Sequence, residues 1–250
     1  MPRYQPYQPN QTNPFRISRS KVDLFLNCPR CFYLDVRLGV KRPSGFPFNL
    51  NSAVDALLKK EFDEYRARKE PHPYLIANGI NAIPYADERL DIWRSNFKGV
   101  SYYNPTTNFE TFGAVDDLWI DNNTNEIIVV DYKATSKNDE VTLDADWQIG
   151  YKRQMEFYQW LLRKNGLKVA DKGWFVYCNG IKDTDGFDNK LHFDVKLIAY
   201  EGNGDWIEPT MLKIKQCLDS DEIPDTENEC EYCKFVNQNL ELKSNLQANT

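Results

Sequence analysis

Apolar positions recur along this chain with two different periods, and the switch between them outlines the fold. From Ser18 the stretch SRSKVDLFLNCPRCFYLDVRLG predicts one helix: Ser18 or Ser20 can cap it, Val22, Phe25 and Leu26 form an apolar stripe, and Gly39 lies past its end. A second helix is expected over about 51–68, where Val54, Leu57, Leu58, Phe62 and Tyr65 recur at helical spacing, and a third over roughly 86–97. The pattern then changes. Residues 109–120 and 126–134 are dense in Val, Ile, Trp and Tyr and are separated by Asp-Asn-Asn-Thr-Asn, which predicts a hairpin with a polar turn. An amphipathic helix over about 145–164, strands at 172–178 and 190–200, a helix over 205–219 and a short C-terminal helix follow. Helices, hairpin, helix and strands in this order predict an α/β fold, a mixed β-sheet core flanked by helices.

The chain has 250 residues, 41% of them hydrophobic and 27% charged, enough for one sizeable core, and no Gly/Ser linker interrupts it. A single domain is expected over 16–240, with N-terminal helices to 98, a core over 99–218, a cysteine-bearing segment over 219–240 and a tail over 241–250. Residues 1–15, rich in Pro, Gln, Asn and Tyr and nearly devoid of aliphatic side chains, are expected to form a loosely ordered tail. They hold no apolar signal-peptide core, and no apolar run approaches the roughly 20 residues that span a bilayer, so a soluble, cytoplasmic protein without a membrane partner is expected.

Net charge is -6, which argues against a nucleic-acid partner until its distribution is considered. Residues 219–231 hold seven carboxylates and no base, and the remainder of the chain carries a net +1. Residues 1–42 hold eight Arg or Lys against two Asp, so a basic first segment could meet phosphates while an acidic loop faces solvent. Solvated charges with no partner account for these counts equally well. There is no internal repeat and no G-x-x-x-x-G-K-[ST] loop, so no ATP-driven motor is encoded here.

The predicted hairpin carries the chemistry. Strand side chains alternate between faces, so Asp131 and Lys133 share a face and Tyr132 points the other way. Asp116 and Asp117 oppose each other, and only one of them can join that pair; the register of the turn decides which. Two carboxylates buried beside a lysine need charge compensation, and Mg²⁺ takes one or two carboxylates together with water and phosphate oxygen. Such a site activates water and polarises a phosphate, while Lys133 would orient the nucleophile or stabilise developing charge. An isolated D-x-K is most often an ordinary ion pair at a strand end.

Its neighbours raise the signal. Gly113-Ala-Val-Asp116 precedes Asp131-Tyr-Lys133, and Gln154-Met-Glu-Phe-Tyr158 follows on a helix whose i, i+4 spacing puts Gln154 and Tyr158 on one face. Together with Cys28-Pro-Arg-Cys-Phe-Tyr-Leu34 in the first helix, this order of motifs resembles the PD-(D/E)xK nuclease superfamily, in particular its RecB-like branch. That branch includes the nuclease domains of helicase–nuclease recombination enzymes and the exonucleases of CRISPR adaptation. The resemblance spans roughly residues 16–235. It implies a restriction-endonuclease-like fold and Mg²⁺- or Mn²⁺-dependent hydrolysis of DNA, exonucleolytic on ends or single strands. Its setting would be repair, recombination or CRISPR adaptation, with a helicase or another protein of those pathways as partner. It implies that Asp116 and Asp131 bind metal, that the Tyr132 carbonyl adds a ligand, that Lys133 is catalytic and that Gln154 and Tyr158 contact substrate. Related exonucleases carry a His ligand on the second helix; the matching position here is Asp55, whose carboxylate can serve Mg²⁺ or Mn²⁺ as well as imidazole, the alternative being a solvated helix residue. The alternative from a different class is a catalytically silent nucleic-acid-binding scaffold with the same fold. His72 and His192 match no motif and are expected to be structural or solvated.

Six cysteines occur, four of them in two C-x-x-C pairs, Cys28/Cys31 and Cys230/Cys233. In a reducing compartment such pairs usually mark metal ligation, and four thiolates can complete a tetrahedral site that would staple the two chain ends; the alternative is four reduced buried thiols with no metal. Cys178 and Cys217 are expected in the core. The resembled exonucleases hold a [4Fe–4S] cluster through one N-terminal and three C-terminal cysteines. This chain departs from that pattern, with Asn239 near the place of a last ligand and Cys31 extra, so zinc fits as readily as a cluster, which only the resemblance favours.

Overall fold

The computed structural model describes residues 5–45, 48–226 and 229–248. In chain order these form β1 (Phe15–Ser18), α1 (Arg19–Asn27), α2 (Pro29–Val36), α3 (Asn49–Arg68), α4 (Pro73–Ala77), β2 (Ala82–Pro84), α5 (Leu90–Trp93), β3 (Val100–Asn104), β4 (Phe109–Gly113), β5 (Asp117–Asp121) and β6 (Ile127–Thr135). There follow α6 (Ile149–Lys164), β7 (Lys172–Gly180), β8 (Phe193–Glu201), α7 (Ile207–Asp219) and α8 (Glu231–Ala248). Two compact units result, one from residues 1–45, 103–111 and 205–250, the other from 46–102 and 112–204. Among the described residues no helix is long and apolar enough to cross a membrane.

The second unit is built on a five-stranded mixed sheet of order β2-β5-β6-β7-β8, in which β6 and β7 run parallel and the other neighbours antiparallel. Helix α3 lays Leu58 and Phe62 against Trp119, Ile128, Val130, Tyr132, Val176 and Cys178 to make the core on one face. Phe62 stacks on Trp119 at 5.6 Å and on His72 at 4.0 Å between ring centroids. His72 is buried, accepts from the Tyr74 N–H and meets Glu61 through Nε2, a structural role that matches no catalytic pattern. Helix α6 packs on β6 with Met155, Phe157, Tyr158, Leu161 and Leu162 buried. Gly173 on β7 permits this close approach, because a side chain there would collide with the Met155 sulfur.

In the first unit, α1 and α2 replace the single helix expected from Ser18. Pro29 has no N–H to donate and bars helical geometry at the residue before it, so Cys28 is extended (φ -166°, ψ 102°) and Pro29 starts α2 at its first position. Residues 5–15 are not a loose tail: the Tyr7 ring packs edge-on against Phe15 and Phe109, and its hydroxyl donates to Asp219. The expected C-terminal tail is also helical, since α8 runs to Ala248.

The strand expected over 109–120 divides. β4 ends at Gly113 and joins a separate three-stranded sheet of order β1-β4-β3, while β5 begins at Asp117 and pairs with β6. The helix expected over roughly 86–97 shrinks to the single turn of α5, and the short strands β2 and β3 flank that stretch.

Candidate active site and cysteine centre

The register of the β5–β6 hairpin separates the two adjacent acids. Asp117 opposes Val130, the last cross-strand pair, so β6 runs on without β5 beside Asp131–Thr135. Asp116 fills the start of that gap, and its Oδ2 accepts the Tyr132 N–H at 3.0 Å. A strand residue's N–H and C=O point the same way, so the Tyr132 carbonyl also faces the side β5 has vacated.

Asp117 turns to the opposite face and is fully buried. Its Oδ1 accepts from Arg66 at 2.5 Å and Arg94 at 2.8 Å, and its Oδ2 accepts from the Tyr132 hydroxyl at 2.6 Å. Arg94 also holds Asp63 through Nη1, at 2.9 Å to each carboxylate oxygen, and bonds the Asp116 carbonyl through Nε at 3.1 Å. This network fixes the backbone carrying Asp116. Burial and then the Asp117 charge push the Tyr132 phenol well above its ordinary range.

Asp131 is fully buried on the α6 face of β6. Its Oδ1 accepts from Gln154 Nε2 at 2.7 Å, and Gln154 in turn bonds the buried Tyr158 hydroxyl at 3.3 Å. Its Oδ2 is buried and ion-paired with the Lys133 ammonium. Burial, partly offset by Lys133 and reinforced by Asp116, pushes the Asp131 carboxyl up to about 7. Burial alone would lower Lys133, but the carboxylates of Asp131 and Asp116 raise it, so it stays an ammonium. Its Nζ lies 4.6 Å from the Tyr151 ring centroid.

Helix α3 supplies the third carboxylate. Asp55, Lys59, Phe62 and Arg66 form one helical stripe: Asp55 pairs with Lys59, which reaches Asp116, Phe62 enters the core and Arg66 meets Asp117. Lys59 Nζ lies 2.8 Å from Asp55 and 3.5 Å from Asp116. Burial and the Asp116 charge raise the Asp55 carboxyl, against the pull of Lys59. A cleft of about 90 Å³ opens here, lined by Asn51, Val54, Asp55, Tyr132, Lys133, Ala134 and Tyr151.

Asp55, Asp116, Asp131, Lys133, Gln154 and Tyr158 are thus linked by contacts within one unit, and Lys59 and Lys133 sit among the carboxylates as counter-charges. Among the described residues the acids are not drawn within the 4.8 Å mutual spacing that the cysteines show. No motif in the sequence singles out Lys59, Tyr151 or the Asp117–Arg66–Arg94 network; the 55-59-62-66 spacing is the one signal that points to part of it.

In the first unit the sulfurs of Cys28, Cys31, Cys230 and Cys233 are buried and all lie within 4.8 Å of one another. Cys31 is 3.6 Å from Cys230 and from Cys233, Cys28 is 3.7 Å from Cys233, and no disulfide forms. The group joins the α1–α2 break to the start of α8 and could hold a metal ion. Cys178 lies in the sheet core of the other unit and Cys217 on α7, half-buried.

The family model of the PD-(D/E)XK nuclease superfamily matches residues 16–238. No curated protein matches in sequence. The crystal structure of SSO0001 is similar at 17% identity and a TM-score of 0.41, over 92% of this chain and 86% of that one, too loose a likeness to add to the assignment.

Proposed function

Because the chain belongs to the PD-(D/E)XK nuclease superfamily, we propose that it is a Mg²⁺- or Mn²⁺-dependent deoxyribonuclease whose reaction centre is Asp116, Asp131 and Lys133. One observation carries this reading: a fully buried carboxylate, Asp131, is ion-paired to Lys133 and lies close enough to Asp116 for that second acid to raise its proton affinity. Crowding carboxylates in a buried place is costly; Lys133 offsets part of that charge and a divalent cation would offset the rest. The donors are all hard oxygens, as Mg²⁺ or Mn²⁺ requires. Asp116 and Asp131 would hold the ion, with Asp55 and the Tyr132 carbonyl as further ligands. When bound, the cation supplies Lewis acidity toward a phosphate oxygen and makes water a better nucleophile.

The chain's own residues do the rest. Lys133, pinned between Asp131 and the Tyr151 ring, presents a fixed positive charge to the phosphate as negative charge accumulates during attack. Gln154 locks the Asp131 carboxylate in one orientation, and Tyr158 locks Gln154. With those side chains engaged inward, their contact with substrate would require Gln154 to exchange partners. Exonuclease action on DNA ends or single strands is proposed on the resemblance to the RecB-like branch. So are a role in repair, recombination or CRISPR adaptation and a helicase or other protein partner from those pathways.

A catalytically silent scaffold is the second reading. The observation in its favour is Lys59, whose ammonium already compensates Asp55 and Asp116. Digestion of end-labelled linear and closed circular DNA with Mg²⁺, Mn²⁺ or EDTA separates the two. Loss of label from linear DNA alone, abolished by EDTA, supports the exonuclease; DNA binding without cleavage under every condition supports the scaffold.

A further inference from the structure

We infer that the four paired cysteines hold one tetrahedral zinc ion and not an iron–sulfur cluster. The spacing of the sulfurs decides between them. A single metal with four thiolates at about 2.3 Å places those sulfurs on a tetrahedron whose edges are about 3.8 Å. The observed separations are 3.6 Å, 3.6 Å and 3.7 Å, and every pair falls within 4.8 Å. In a cubane each thiolate binds a different iron and points away from the cluster, which spreads the sulfurs to about 6 Å. A two-iron cluster keeps two thiolates close on each iron but separates the two pairs by a similar distance. No pair here is that far apart, so the cavity between the sulfurs takes one atom.

The surroundings agree with a charged tetrathiolate. Four thiolates around a divalent ion carry two net negative charges, and the Arg42 guanidinium donates to Cys230 Sγ at 3.2 Å while lying over the Tyr232 ring. The Cys31 N–H donates to Cys28 Sγ at 3.4 Å. Such outer contacts orient thiolates and offset their charge. Soft S₄ tetrahedral sites take zinc or iron–sulfur centres, and the sulfur spacing leaves room for the single ion and not the cluster. The ion would clamp the Cys28-Pro29 break between α1 and α2 to the first turn of α8, a structural role that does not depend on the nuclease reading.

The test uses the full-length protein purified without oxygen from cells supplied with both iron and zinc. Elemental analysis should give one zinc per chain and no acid-labile sulfide, and the protein should be colourless. Zinc-edge X-ray absorption should show four sulfur neighbours at about 2.3 Å. Exchange with Co²⁺ should produce the intense visible bands of a tetrahedral cobalt thiolate. The variant Cys31→Ser should weaken zinc retention during dialysis against a chelator, and Cys31→His, which keeps a donor zinc accepts, should retain it better. A brown protein with iron and labile sulfide, one iron without sulfide, or metal-free protein under all loading conditions would each overturn the inference.

Discussion

Gln154 on α6 donates its amide N–H to Oδ1 of Asp131 on β6 at 2.7 Å, reaching across the helix–sheet interface to a fully buried acid. Asp131 cannot turn to solvent for that bond, so its orientation depends on the amide. Gln154→Ala is expected to lower kcat by about 10–100-fold, the usual loss when a contact that orients a metal ligand is removed. Gln154→Glu should be worse, since it sets a second carboxylate against the first. Steady-state rates in Mn²⁺ check this; a Gln154→Ala enzyme as fast as the parent would reduce the amide to a bystander.

Lys59 stands where a cation shared by Asp55 and Asp116 would compete with it. Asp55→Ala is expected to raise the Mn²⁺ concentration for half-maximal activity about tenfold with little change in KM for DNA. Lys59→Ala should lower that concentration, because like charge no longer opposes the ion. Metal titrations of the two variants measure both effects, and unchanged titrations would return the pair to an ordinary i, i+4 ion pair on a helix surface.

Alkaline pH should unfold the second unit in a way that Tyr132 helps to set. Burial and Asp117 raise its phenol far above 10.0, with Arg94 opposing and Asp116 adding. For an acid whose folded pKa lies above its unfolded one, stability is intact below the unfolded value and is lost as pH rises past it. Cys178, pushed by burial from 9.0 up to about 11, acts in the same direction over that window. Tyr132→Phe should cost about 1–2 kcal/mol at neutral pH for the lost bond to Asp117. It should also make the fall of Tm above pH 10 shallower. A parallel fall in parent and variant would show that the phenol does not contribute.

Arg42 donates to Cys230 Sγ, and on the zinc assignment proposed above its loss is predicted to weaken metal binding by about 10–100-fold without changing the stoichiometry. Competition with a chromophoric chelator gives the affinity; equal affinities in Arg42→Ala and parent would remove the guanidinium from the account.

What could be read from the sequence depended on how much chain each feature uses. The α3 stripe, the β5–β6 hairpin and α6 extend over enough residues for periodicity to speak, and the D-x-K and Q-x-x-x-Y spacings follow directly from strand and helix geometry. The departures are local. One proline at position 29 split a helix whose apolar stripe continues across the break. The chain leaves one sheet and enters another at 114–116, but apolar residues on both sides, Phe109, Phe112, Val115, Leu118, Trp119 and Ile120, make 109–120 read as a single strand. Strands β1 and β2, of four and three residues, are too short to show alternation. The choice between Asp116 and Asp117 lay in the hairpin register and in Arg66 and Arg94, which no local pattern reveals. Tyr7 was read as part of a polar tail because its partners, Phe15, Phe109 and Asp219, are tertiary.

The central claim is that Asp116, Asp131 and Lys133 hydrolyse DNA with a divalent cation, and the most direct test compares the parent with Asp131→Asn and Lys133→Ala on end-labelled linear DNA in Mn²⁺. Circular dichroism and DNA binding should stay close to those of the parent, since Asp131→Asn preserves shape and Lys133 lies at the cleft. Cleavage should fall by at least about 10³-fold in each variant, a barrier increase of about 4 kcal/mol. Folded variants that cut at near-parental rates, or a parent that binds DNA yet never cuts it in Mg²⁺ or Mn²⁺, would contradict the account.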